Sequence, residues 1–190
     1  MLLLLPFIPI LFFFSVIFGG LAFGLVVTGG PDECTAGGSE PIVFSQANAD
    51  SFQQKWDAFD TTLDAGRPAT VTFTESEVSS RAWWEIVDES EDADEFVDGP
   101  RVCLHDGYGE VSATLELPGF LDIKMKATGT AEITDELVIY IDDLEIGNVP
   151  DFVSDWLNAE EIQADLTNQH LEHNYVLTLR EGEAQVNGTP

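Results

Sequence analysis

From Leu2 to Val27 the only polar side chain is Ser15, and no Asp, Glu, Lys, Arg or His occurs before Asp32. No other feature of the chain restricts its folding as much. As a helix rising 1.5 Å per residue, such a run is about 39 Å long, which crosses a hydrocarbon core of about 30 Å with some tilt. Pro6 and Pro9 disturb only the first turns, and Gly19, Gly20 and Gly24 are better tolerated in lipid than in water. A cleaved signal peptide would place a basic segment before an apolar stretch of about 7 to 15 residues. Both marks are missing, and Leu25, Val26 and Val27 carry the apolar run past the small residues Ala22 and Gly24. Pro31-Asp32-Glu33 ahead of Cys34 is the wrong chemistry for lipidation, which needs small apolar residues there. Residues 1–30 are thus predicted to be an uncleaved transmembrane helix.

All 7 basic and all 35 acidic residues follow that segment, so the remainder carries the whole net charge of -28. This excludes nucleic acid as a partner, because affinity for it comes mostly from Lys and Arg neutralising phosphates. An anionic bilayer surface would also repel the domain, and the acidity serves solubility. The first basic residue is Lys55, too far from the apolar run for the positive-inside rule to fix orientation. A large C-terminal domain with no basic flank predicts a cell-membrane, single-pass protein with that domain outside the cytoplasm. There, Cys34 and Cys103 either pair or remain thiols, and the sequence leaves both open.

Residues 31–47, with Gly37-Gly38-Ser39, read as a linker that lifts a domain at 48–190 off the membrane. Asp50 offers an N-cap with Gln53 three residues on, and Phe52, Trp56, Phe59 and Leu63 follow at helical spacing until Gly66. Ala69 to Phe73 is β-prone. It leads into Thr74-Glu75-Ser76-Glu77, a capping box opening a second helix, whose face carries Val78, Ala82, Trp83 and Ile86. Trp84 points the opposite way on the helical wheel, which makes it the candidate contact for a protein partner. The segment 88–100 is an acidic loop. Asp88, Ser90 and Asp92 alternate like calcium ligands, but Ala93 stands where the sharp turn needs Gly and Gly99 where the final Glu belongs.

From Arg101 the period becomes two: Val102 and Leu104; Val111, Ala113, Leu115 and Leu117; Leu121, Ile123, Met125 and Ala127; Leu137, Ile139 and Ile141. A helix over 152–166 and a C-terminal hairpin turning at Glu181-Gly182 complete the order. The expected class is α+β, an N-terminal transmembrane helix followed by a curved antiparallel sheet packed on about three helices.

Little points to catalysis. His170 and His173 have a spacing that can serve one metal, but no carboxylate or third histidine is tied to them by a motif. His105 beside Asp106 reads as an ordinary hydrogen-bonded pair. No nucleophile elbow, phosphate loop or zinc-protease motif occurs. The expectation is a protein that is not an enzyme, with no cofactor, no catalytic residue and no metal.

Four features fall in a familiar order: a strand entering Thr74-Glu75-Ser76-Glu77 and a helix; long alternating strands; Ile146-Gly147-Asn148-Val149-Pro150 before a short helix; and the ending Leu177 to Gly188. Over about Ala69 to Gly188 this resembles the LmeA-like and YpmS-like group of bacterial envelope proteins. The resemblance implies a sheet wrapped on helices, similar to the tubular lipid-binding fold, with an apolar groove for acyl chains. An acyl chain lying between the first helix and the strand faces would touch Phe52, Trp56, Phe59, Leu104, Ala113, Leu115, Leu117, Ile123, Met125 and Ile139. The expected function is therefore lipid binding or handling at the cell envelope. The alternative is an anchored interaction module with a dry core, meeting an envelope protein through Trp84.

Overall fold

The structure, a computed structural model, describes residues 30–89, 97–117, 121–133, 137–147 and 173–190. Three expectations lie outside them: the apolar run 2–27, the center of the acidic loop, and the helix over 152–166 with His170. Among the described residues no helix is long and apolar enough to cross a membrane.

Helix α1 (Gln46–Asp64) starts five residues earlier than an N-cap at Asp50 would place it, because the Ser45 side chain accepts the Asn48 N–H at 3.1 Å and caps the first turn. Gly66, at φ +72°, takes the left-handed conformation that follows the last turn. Strand β1 (Ala69–Thr74) runs directly into helix α2 (Glu75–Glu89). Thr74 and Glu77 form the reciprocal capping box, with Thr74 N–H donating to Glu77 Oε2 at 2.9 Å and Glu77 N–H to Thr74 Oγ1 at 3.3 Å.

Strands β2 (Val97–His105), β3 (Tyr108–Leu117), β4 (Leu121–Ile133) and β5 (Leu137–Ile146) form an antiparallel meander, and β6 (Asn174–Arg180) and β7 (Glu183–Thr189) form a hairpin. The hairpin does not extend the meander. It pairs through β7 with β1, so the strands divide into a three-stranded sheet β1-β7-β6 and a four-stranded sheet β2-β3-β4-β5. This corrects the expectation of one curved sheet. Alternation shows which face of a strand is buried but not which distant strand it joins, and Ala69 pairs with Gly188 at the far end of the chain.

The core lies between α1 and the three-stranded sheet. Phe52 stacks on Phe73 with ring centroids 4.0 Å apart, and Trp56 lies 6.3 Å from Phe73 and 6.2 Å from Tyr175. Leu63, Val71, Val186, Val102 and Leu104 complete it. Gly188 leaves room where β7 passes under α1: a Cβ there would stand 2.6 Å from Leu63 Cδ1 and 2.7 Å from Phe59 Cζ, so these two buried side chains would have to shift.

In the four-stranded sheet the register aligns Val102, Val111, Ala127 and Leu144 across one face, with Ala113, Met125 and Ile146 in a second row. The apolar positions of β5 change parity between Ile141 and Leu144. A bulge accommodates this: Thr128 pairs with Asp143 and Gly129 with Ile141, leaving Asp142 as the extra residue. The opposite face is polar, with Lys126 bridging to Glu145 at 3.0 Å on the paired strand.

Glu77 also joins the two helices. It accepts from Lys55 Nζ at 2.7 Å and from Ser51 Oγ at 2.6 Å. Burial pushes its carboxyl upward, but the hydrogen bonds from Lys55, Ser51 and the Thr74 N–H outweigh this and hold it below the ordinary 4.5. A depressed acid stabilises the fold above its unfolded pKa, and that contribution is lost as pH falls through the folded value. Glu77→Gln is therefore expected to destabilise by about 1 kcal/mol at pH 7. Urea titrations should show the gap to wild type closing below pH 4.5.

Candidate functional site

The residues read as a linker are instead a strap. Gly30 lies against the sheet where a Cβ would meet the Lys124 carbonyl at 2.6 Å and Gly147 Cα at 2.9 Å. From β4 and β5 the strap crosses β3, where Cys34 N–H donates to Ser112 Oγ at 3.1 Å, and reaches β2 through a Cys34–Cys103 disulfide. Arg101 Nε pairs with Glu33 at 3.1 Å beside it. The strap thus covers the polar face of the four-stranded sheet, and both half-cystines are buried. Further on, Val43 N–H donates to Ser76 Oγ and Ser45 N–H to Ser80 Oγ, which ties the segment to α2.

Midway, at Gly37 and Gly38, the strap meets a buried carboxylate. Glu75, 4% exposed at the start of α2, accepts Gly37 N–H at 2.8 Å and Leu104 N–H at 2.7 Å on Oε1, and Gly38 N–H at 3.3 Å on Oε2. The hairpin turn enters the same junction: Gly182 N–H donates to the Leu104 carbonyl at 2.9 Å, and Glu75 N–H to the Gly182 carbonyl at 3.3 Å. Strap, helix, meander and hairpin therefore meet around one side chain. Gly37 is indispensable there, since a Cβ would fall 1.9 Å from the Leu104 carbonyl.

The residues expected to line one acyl groove fall into two groups. Phe52, Phe59 and Leu104 are buried in the core, and Trp56 is packed against it. They are not groove walls, because Phe73 and Tyr175 occupy the space an acyl chain would need. Ala113, Leu115, Ile123 and Met125 share the apolar face of β3 and β4, and all are buried. Leu117 pairs with Leu121 at the end of β3, and Ile139 pairs with Ala131 in β5. Among the described residues α1 packs on α2 and β1, α2 also on β2, and β6 of the hairpin on β3 and β4. Trp84 is half-buried on α2.

His105 lies 3.3 Å from Glu181 and stacks on Tyr108 at 4.7 Å, while Asp106 accepts the Glu181 N–H. Its partners are thus Glu181, Glu110 at 3.9 Å and the Tyr108 ring, and the pairing with Asp106 read from adjacency is corrected. The sequence points to His173 but gives no sign of the carboxylates it meets. Asp60 and Asp64 of α1 meet His173 just before β6, with ligand atoms all within 4.8 Å of one another. The contact joins residues 109 positions apart.

Described in this way, the chain is an acidic, disulfide-strapped α+β domain following a charge-free apolar segment. It matches no protein-family model, no curated protein and no solved structure.

Proposed function

We propose that this is a noncatalytic, membrane-anchored protein of the cell envelope that binds lipid at the apolar face of β3, β4 and β5. The observation that carries this reading is the strap. Val27 closes the apolar run and Gly30 already packs on Lys124 and Gly147, so the intervening chain can reach at most about 10 Å. An anchor in the bilayer would therefore hold the four-stranded sheet at the headgroups, against the repulsion its charge of -28 creates at an anionic surface. The Cys34–Cys103 bond favors an oxidising compartment outside the cytoplasm. The face bearing Leu115, Ile123 and Met125 starts at the end of the sheet where Gly30 docks.

Native mass spectrometry of the full chain released from phospholipid nanodiscs tests the reading. Lipid is expected to stay bound to wild type and to be lost from Met125→Trp, which fills the apolar face without removing apolar surface. Equal retention in both would mean lipid held only around the anchor and would overturn the proposal. The closed aromatic core under α1 favors a second reading, an anchored interaction module using the half-buried Trp84. That reading takes over if no lipid is retained.

A further inference from the structure

We propose that Asn187 is an acceptor for N-linked sugar, an inference that rests on the reading that this domain lies outside the cytoplasm. Of the asparagines in the chain, only Asn187 opens an Asn-x-Ser/Thr triplet, Asn187-Gly188-Thr189, and its middle residue is not proline. The fold brings that triplet to the surface. Gly188 is buried under α1, while Asn187 and Thr189 alternate to the outer face of β7, the first half-buried and the second exposed. Thr70 Oγ1 donates to Asn187 Oδ1 at 2.7 Å, which orients the amide. Among the described residues nothing is hydrogen-bonded to Nδ2, the nitrogen that takes the sugar.

The face around Asn187 is nearly free of the charge that keeps an acidic domain soluble. The chain holds 35 acids, yet the cross-strand rows Thr70-Asn187-Val176 and Thr72-Gln185-Thr178 contain none. The next row holds one, Glu183, with Arg180 at 3.9 Å. Val176 is 60% exposed, more than any other large hydrophobic side chain among the described residues, and stands directly across from Asn187. A sugar on Nδ2 would lie over this neutral face, its apolar ring face on Val176 and its hydroxyls supplying the hydration that carboxylates supply elsewhere. The co-reactant is an oligosaccharide linked to a lipid phosphate. Nδ2 attacks C1 of the first sugar, the C1–O bond to the carrier phosphate breaks as the C1–N bond forms, and the amide proton leaves with the released lipid phosphate. Thr189 supplies the hydroxyl by which such a triplet is recognised.

The test is intact-mass analysis of the full chain, made in a eukaryotic host whose secretory route attaches N-linked sugar, extracted in detergent and alkylated without reduction. Wild type is expected to carry a sugar mass that an amide-cleaving glycosidase removes, leaving a carboxylate on the side chain of residue 187. Asn187→Gln and Thr189→Ala should each lose that mass completely, and Thr189→Ser should keep it. Thr189→Ala leaves Asn187 and its bond to Thr70 in place, so the result stands even if Asn187→Gln disturbs β7. Sugar retained by Asn187→Gln would lie elsewhere and overturn the proposal. The same spectrum reads the 2 cysteines. Unmodified Asn187 with the Cys34–Cys103 bond formed would overturn the sugar site alone. Unmodified Asn187 with both thiols alkylated would overturn the placement outside the cytoplasm together with it.

Discussion

Removing the Cys34–Cys103 link, by reduction or by replacing both residues with serine, is expected to cost the domain about 4 kcal/mol. The magnitude follows from chain entropy. The bond joins residues 69 apart, and closing a loop of that size in the unfolded chain falls between the roughly 3 kcal/mol of a 15-residue loop and the 4.7 of a 100-residue one. The ring contains α1, β1 and α2 entire. Its loss therefore loosens the unfolded state across the sequence that builds the core, besides freeing the strap from β2. Guanidinium denaturation followed by tryptophan fluorescence, with and without reductant, gives the number. A difference below about 1 kcal/mol would mean that the noncovalent contacts of the strap suffice to hold it.

Glu75→Ala is expected to destabilise by about 3 to 5 kcal/mol, because it leaves three backbone N–H groups without their acceptor at a buried junction. Those donors belong to Gly37 and Gly38 of the strap and to Leu104 of β2. An unsatisfied buried donor costs about 1 to 3 kcal/mol, and water entering the space left by the side chain limits the total. Glu75→Gln should be milder, about 1 to 2 kcal/mol, since its amide oxygen can still accept from Gly37 and Leu104 while the charge facing the start of α2 is lost. Equilibrium denaturation should rank wild type above Gln and Gln above Ala. Equal effects of the two would show that charge, and not hydrogen bonding, is what the junction needs.

The local structure was largely legible. The capping box at Thr74 and Glu77, the aromatic face of α1 and the alternation of β3 and β4 all follow from short-range spacing, and short-range spacing is what helices and strands impose. Long-range pairing was not. Nothing near Ala69 shows that it will pair with Gly188, so one sheet was expected where there are two. The strap was missed for a related reason. Gly37-Gly38-Ser39 has a linker's composition, yet its glycines serve close approach to Leu104 and Glu75, a requirement set by residues far away in sequence. The helix wheel placed Phe52, Trp56 and Phe59 correctly on one face but could not say whether protein or ligand would meet them. Phe73 and Tyr175 do.

The strap also decides how the fold would respond to force. A pull on the chain before Gly30 travels along the strap to Cys34 and passes through the sulfur atoms into Cys103 of β2. The residues between those cysteines, which include both described helices and β1, lie off that line and carry no tension while the bond is intact. Load enters at a strand of the meander, where pairing with β3 shares it among backbone hydrogen bonds. Reduction would reroute the same pull through Gly37 and Gly38 onto the Glu75 carboxylate, and the junction would become the first part of the domain to open.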